Sequence, residues 1–401
     1  MNEFILTKYY TEPTEKYNLI STVIFKLKNS YKSFNHYLDG LELLLDDFQK
    51  HFPDFYLRLY YDDSISDLSV SESMEITDRF TEIITKHKDN KFIQLVHYEH
   101  PWFVSNKIHI GLFGTIVRLL PFFNEDNTNI VLSAEIDITN NFFILYKNMY
   151  TDFKLANAKI LFMTRQCYHL RPRYTAVSKH LKINYMPYIG TMWISGKLPK
   201  YIINDFLNCI HKNKLDESCS YLKIFVDNLD KNTSRGKIDS NKPLIEKILH
   251  FGIDEIFAAN IIAYLITNKI PYMIDLLPAL TFVLDDTYGD TDDIINEKIH
   301  SDFIKQILKQ HYDTNKSVRE NFNQMKKSLL FNYTFRPKNK YDKFIIRNTI
   351  KELMMLLKNS QYKKMGFDED NFQCIRHSYD IFRVVVLLCD GYDCKIIKKY
   401  E

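Results

Sequence analysis

Asn129-Ile130-Val131-Leu132-Ser133-Ala134-Glu135-Ile136-Asp137 is a short β-branched run that ends on two carboxylates one residue apart. Side chains of an extended chain alternate with period two, so Glu135 and Asp137 fall on one side of it. Hard cations such as Mg²⁺ and Mn²⁺ favour oxygen ligands of this kind. A cation placed there, at the carboxyl edge of an α/β sheet, is suited to neutralising a diphosphate.

Upstream of this stretch, strands and helices alternate. The residues predict a strand over 19–27, a helix over 31–50, a strand over 55–61, a helix over 74–86, a strand over 92–98, a helix over 110–120 stopped by Pro121, and the strand 130–133. In the first helix Phe34, Tyr37, Leu38, Leu41, Leu44, Leu45 and Phe48 recur at three- and four-residue spacing and make one apolar stripe. Such a succession predicts a largely parallel sheet. Ligands of open sheets sit beyond the carboxyl ends of the strands. Those ends carry Asp62, Asp63 and Ser64, then His97 and Glu99, then Glu135 and Asp137. Polar residues also simply begin loops, which is the more general explanation of any one of them.

Downstream, a helix is predicted over 140–150, a strand over 160–164, an extended segment over 185–194, and a helix over 200–211 that starts just after Pro199. The polar run 229–243 reads as a long loop able to close over a ligand. Beyond about residue 285 the pattern is helical, over 294–310, 318–330 and 343–358, before a β-like tail at 382–388. The chain thus divides into residues 1–270 and a mainly helical region, 271–401.

Composition narrows the function classes. Lys and Arg exceed Asp and Glu by only 53 to 50, so no strong field attracts nucleic acid. The six cysteines include no Cys-x-x-Cys pair, and reduced thiols are the plainer reading. The N-terminus lacks a basic segment followed by an apolar one, and the apolar region 270–284 is too short to span a bilayer. These features predict a soluble, cytoplasmic protein without a membrane span.

Just before the acidic strand lies His109-Ile-Gly111-Leu-Phe-Gly114-Thr115-Ile-Val-Arg118, with Thr115 and Arg118 one turn apart. Arginine offers a fixed fork for phosphate oxygens. It serves equally well to pair with a core carboxylate, and both readings stand. Arg165, His169, Arg171 and Arg173, interleaved with Tyr168 and Tyr174, form the densest arginine region; a phosphate, a glycan or RNA would suit it, and so would plain solvation of a loop. Ser195 and Cys167 lack the context of a nucleophile.

In the order of these features the chain resembles nucleotide-sugar glycosyltransferases of the GT-A fold. It is also similar in texture to glycosyltransferase-like proteins of large DNA viruses, through Leu57-Arg58-Leu59-Tyr60-Tyr61-Asp62, Gly114-Thr115 with Arg118, and Gly252-Ile-Asp254-Glu255. The likeness covers residues 19–265. It implies a GT-A-like, Rossmann-like mixed sheet, mainly parallel and flanked by helices; the mostly helical C-terminal region read from the pattern has no counterpart in it. It further implies sugar transfer from a nucleotide-diphosphate donor to a glycan or protein acceptor. On that reading Glu135 and Asp137 hold Mn²⁺ or Mg²⁺, while Arg58, Asp62, Thr115 and Arg118 contact the donor. Asp254 and Glu255 face the acceptor as candidate bases, and the segment from Tyr188 to Gly196 borders donor and acceptor. Two departures stand out: the first acid of the metal motif is Glu, and none of His169, His250 and His300 sits in the context that completes such a metal site. The alternative is therefore a non-catalytic viral structural or host-interaction protein that keeps the scaffold.

Overall fold

The computed structural model describes residues 4–26, 33–66, 74–100, 113–123, 127–136, 140–165, 172–183, 187–210, 212, 215–228, 232–233, 236–237, 253–277 and 385–399. The apolar runs of the sequence become strands of one ten-stranded sheet: β1 (Ile5–Lys8), β2 (Tyr17–Ile24), β3 (Phe55–Tyr61), β4 (Ile93–Glu99), β5 (Thr128–Ser133), β6 (Ile160–Arg165), β7 (Pro187–Ser195), β10 (Tyr272–Leu277), β11 (Val385–Asp390) and β12 (Asp393–Lys399). A separate two-stranded hairpin, β8 (Asn232–Thr233) and β9 (Gly236–Lys237), lies within the polar run 229–243; the rest of that run is outside the described residues.

The sheet order is β1-β4-β3-β2-β5-β7-β6-β10-β11-β12. Pairs β3–β4, β2–β3, β2–β5 and β6–β10 are parallel. Strand β7 runs antiparallel to both β5 and β6, and β1 and β11 are antiparallel to their neighbours. The result is a Rossmann-like mixed sheet whose strands mainly share one direction. From β2 the chain builds outward to β3 and β4 on one side and to β5 on the other. In open α/β sheets such a reversal of strand order is where ligands bind, here at the carboxyl ends of β2 and β5.

Alternation along each strand sorts the core into two layers. Ile20, Leu57, Leu132 and Trp193 face α1 (Phe34–His51), α2 (Met74–His87) and α3 (Asn140–Leu155). Leu19, Val131, Ile160 and Ile194 face the other layer. It contains a 3₁₀ segment, Phe113–Phe122, and α4 (Pro172–Leu181), α5 (Tyr201–Ile210), α6 (Ser220–Asp227) and α7 (Ile253–Thr267). Helix α1 buries the predicted stripe, including Phe34, Leu38, Leu41, Leu44, Leu45 and Phe48, with Tyr37 half-buried beside it. Each such Leu or Phe contributes about 2 kcal/mol of apolar burial.

Several expectations change on contact with the structure. The segment predicted as an α-helix over 110–120 is the 3₁₀ run Phe113–Phe122, with Pro121 inside it rather than ending it. Part of the arginine-rich region read as a loop is α4, while residues 166–171 fall outside the described set. The division at residue 270 is not a break in the sheet, because β10 pairs with β6 and carries β11. The helices expected over 294–310, 318–330 and 343–358 lie outside the described residues. Four cysteines are not reduced thiols: Cys209 pairs with Cys219, and Cys389 with Cys394 across the β11–β12 hairpin. Among the described residues no helix is long and apolar enough to cross a membrane.

Candidate functional site

Alternation along β5 continues past its last residue. Val131 packs into the layer of the 3₁₀ segment, Leu132 and Ala134 into the layer of α1 and α3, and Ile136 joins the latter. Glu135, between Ala134 and Ile136, therefore emerges on the 3₁₀ side at the carboxyl edge. There it meets Arg118, which is 3% exposed. Arg118 donates from Nη1 to Glu135 Oε2 at 2.7 Å and from Nη2 to Glu135 Oε1 at 3.2 Å, a two-point carboxylate clamp. The same Nη2 donates to Asp254 Oδ2 at 3.2 Å, in the first turn of α7. Three residues that the sequence assigns to separate roles thus form one cluster.

The backbone aims the arginine. The carbonyl of Arg118 accepts a hydrogen bond from Ser21 Oγ at 2.7 Å, and Ala134 N–H donates to the Ser21 carbonyl at 2.9 Å. These bonds tie the 3₁₀ segment and the end of β5 to β2, where the strand order reverses. A 3₁₀ turn has three residues, so Thr115 lies directly in line with Arg118. Burial by itself lowers the pKa of the guanidinium, but the carboxylates of Glu135 and Asp254 outweigh it and hold the pKa above the usual arginine value. From the other face, the Tyr146 hydroxyl of α3 lies against Thr191 and the backbone of Glu135. Burial, with the charge of Glu135 adding to it, pushes this phenol upward and keeps it neutral.

The neighbouring strand ends are also linked. Asp62 follows β3 and accepts hydrogen bonds from the N–H and hydroxyl of Ser64, and Ser64 Oγ accepts from the Lys26 N–H at 2.8 Å just past β2. His97 Nε2 lies 2.9 Å from Asp63 Oδ1 across the β3–β4 edge. Among the described residues, Asp62, Asp63, Glu99, Glu135, Asp254 and Glu255 share this edge with the cations Lys26, Arg118 and Arg165, so the charges described there are mostly negative. Lys26, 2% exposed, escaped the sequence reading; its signal is a lysine set inside the apolar run Ile24-Phe25-Lys26-Leu27. Tyr146 escaped as well, because in the sequence it is one more member of a helical apolar stripe.

Other predicted residues do not join the cluster. Arg58 lies mid-strand in β3 and turns toward the amino end of β2: Nε donates to Gln94 Oε1 at 2.9 Å, Nη2 to the Tyr17 hydroxyl at 2.7 Å, and Glu12 Oε1 is 3.6 Å away. Its guanidinium also lies 5.3 Å from the Tyr10 ring centroid. At 1% exposed and with these partners, the guanidinium lies apart from the Arg118–Glu135–Asp254 cluster. Arg118 is likewise turned onto two acids, Glu135 and Asp254. Because β7 is reversed, its amino end around Pro187 lies at the functional edge. Trp193 to Gly196 sit at the opposite one, where Gly196 N–H donates to the Asn129 carbonyl at 2.8 Å.

The metal expectation rests on Glu135 and Asp137. Asp137 is outside the described residues, and among those described no group of three or more His, Cys, Asp or Glu side chains could hold an ion. Glu135 fits a share in such a site. A carboxylate offers about four lone-pair directions, and the clamp with Arg118 uses one on each oxygen. Its side chain is 26% exposed, and the cluster bears two negative charges against one positive.

No protein-family model matches the sequence, and no curated protein does. Among solved structures, the chain is similar to 4-diphosphocytidyl-2C-methyl-D-erythritol synthase from Anaerococcus prevotii at 13% identity, with 62% of this chain and 98% of that one covered and a TM-score of 0.28.

Proposed function

We propose that this chain is a transferase that binds a nucleotide-diphosphate sugar at the carboxyl edge of its sheet and passes the sugar to a glycan or protein acceptor. The observation that carries the reading is the Arg118–Glu135–Asp254 cluster at the carboxyl edge, where the strand order reverses between β2 and β5. An edge with excess negative charge repels a bare diphosphate, so the donor needs a counter-cation. Glu135 and Asp137 are the groups proposed to hold Mn²⁺ or Mg²⁺, which would neutralise the leaving diphosphate as a Lewis acid.

The chain's own residues supply the rest. Arg118 fixes the rotamer of Glu135 and brings Asp254 to the same place. Thr115, in line with Arg118, and Asp62, at the end of β3, border the donor. Asp254 or the adjacent Glu255 takes the proton of an acceptor hydroxyl as its oxygen attacks the sugar; the bond to the diphosphate then breaks and its electron pair leaves with the phosphate oxygen.

Calorimetric titration with uridine and guanosine diphosphates, with and without Mn²⁺, tests this. Binding that requires the cation and weakens at least several-fold in Glu135→Gln is the expected result. Equal binding without metal sinks the mechanism. One observation favours a second reading: Arg58 and Arg118 both face internal partners, as in a scaffold protein that retains the sheet without turnover. No binding under either condition supports that scaffold instead.

A further inference from the structure

The turn from α1 to β3 and the second half of α3 border a half-open cavity of about 410 Å³ at the amino edge of the sheet, the end opposite the candidate site. Lys147, Tyr150 and Lys154 line it from α3, at the three- and four-residue spacing that puts them on one helix face. The Tyr150 ring is held in place: it stacks on the buried Trp193 at 4.9 Å and 28° and meets Phe55 edge-on at 5.3 Å. Lys154 Nζ sits over the Tyr150 ring, 5.3 Å from its centroid, so a ring arriving on that face displaces the ammonium. Across the gap stand His51 and Asp54. His51 stacks on Phe143 at 4.6 Å, and burial pushes its imidazole below the usual histidine range, so the positive charge of the cavity comes from the two lysines.

A fixed tyrosine ring covered by a movable lysine ammonium, with a second lysine one turn away on the other side, has a definite complement: a group that gives the tyrosine a ring and both ammoniums an anion. We propose that this cavity binds a planar aromatic anion, with its ring against Tyr150 and its anionic group reached by Lys147 and Lys154. The volume is that of small-molecule sites. Ring stacking supplies shape selection, and the ammonium groups supply charge-assisted hydrogen bonds. Among the described residues Asp54 is the one acid lining the cavity, and it opposes an anion. This site is independent of the diphosphate reading.

Calorimetry on the full chain with phenyl phosphate, phenol and inorganic phosphate separates ring from charge. Phenyl phosphate should bind saturably and more tightly than either fragment. Replacing both lysines, Lys147→Ala with Lys154→Ala, should weaken it about ten-fold or more with an unchanged circular dichroism spectrum. Asp54→Asn should tighten it, a change that a merely structural role would not produce. The proposal is overturned by absence of saturable binding, by phenyl phosphate binding no better than inorganic phosphate, or by affinities indifferent to the two lysines and Asp54.

Discussion

Removing the guanidinium of Arg118 leaves the carboxylates of Glu135 and Asp254 side by side with their charge uncompensated. Breaking a buried pair in this way costs about 3 kcal/mol or more, less where water reaches the survivors. Glu135 is one-quarter exposed, so we expect Arg118→Met to cost about 3 kcal/mol, read as a lower urea midpoint. Adding Glu135→Gln to Arg118→Met should recover part of the loss by removing one of the two repelling charges. Glu12 gives the pH counterpart. Burial tends to raise its pKa, but hydrogen bonds donated by Tyr17 and Lys8 and the charge of Arg58 outweigh that and hold it below its ordinary value of 4.5. A carboxyl depressed in the fold contributes stability above its unfolded value and loses it as pH falls through the folded one. Denaturation midpoints should therefore fall less steeply below about pH 4.5 in Glu12→Gln than in the parent. Arg118, Glu135 and Asp254 are each visible in the sequence as charges among apolar residues. Their meeting is not, since 136 residues separate Arg118 from Asp254 and only the placement of α7 joins them.

Elements with a one-sided pattern were legible, and those buried on every side were not. Strand β3 falls at its predicted bounds and α1 within three residues of them, because a stripe or an alternation sets each against a surface. The 3₁₀ segment has no such contrast. Ile116, Val117, Leu119 and Phe122 are all fully buried, so a period of three cannot be told from one of 3.6. Pro121 is tolerated because a segment laid between β2 and α7 draws its order from packing, as in the 5.7 Å contact of Phe123 with Phe257. Strand β10 was read only as part of an apolar run, for the same reason: Tyr272, Met273 and Ile274 are buried on both faces. Helix α7 is the extreme case, with Ile253 through Ala259 all buried. Ala258→Leu should overpack it and cost about 1–3 kcal/mol, measurable by chemical denaturation.

At the scale of the molecule, the succession of strands and helices was sufficient for a mainly parallel sheet with helices on both faces. The extended segment over 185–194 is β7, but the pattern was silent on its direction, because its reversed insertion between β5 and β6 is a property of long-range pairing. The cysteine pairs were invisible for a related reason, as neither spacing matches a metal or redox motif. The two bridges close short loops, with separations of 10 and 5 residues. Reduction removes their constraint on the unfolded chain, about 2 kcal/mol for each. Thermal melts with and without reductant should show a lower midpoint when reduced; an unchanged midpoint would mean the bridges do not stabilise the fold.

The pairing of β10 with β11 joins residues 272–277 to residues 385–390. During synthesis the rim of β10 waits for more than a hundred residues to leave the ribosome before its partner arrives, and contacts so far apart in sequence form slowly. Until then Met273 and Ile274 lie on an uncovered sheet margin, the kind of template that captures strands from other chains. A nascent or shortened copy ending before Val385 therefore carries a built-in tendency to associate, which the arrival of the last hairpin ends.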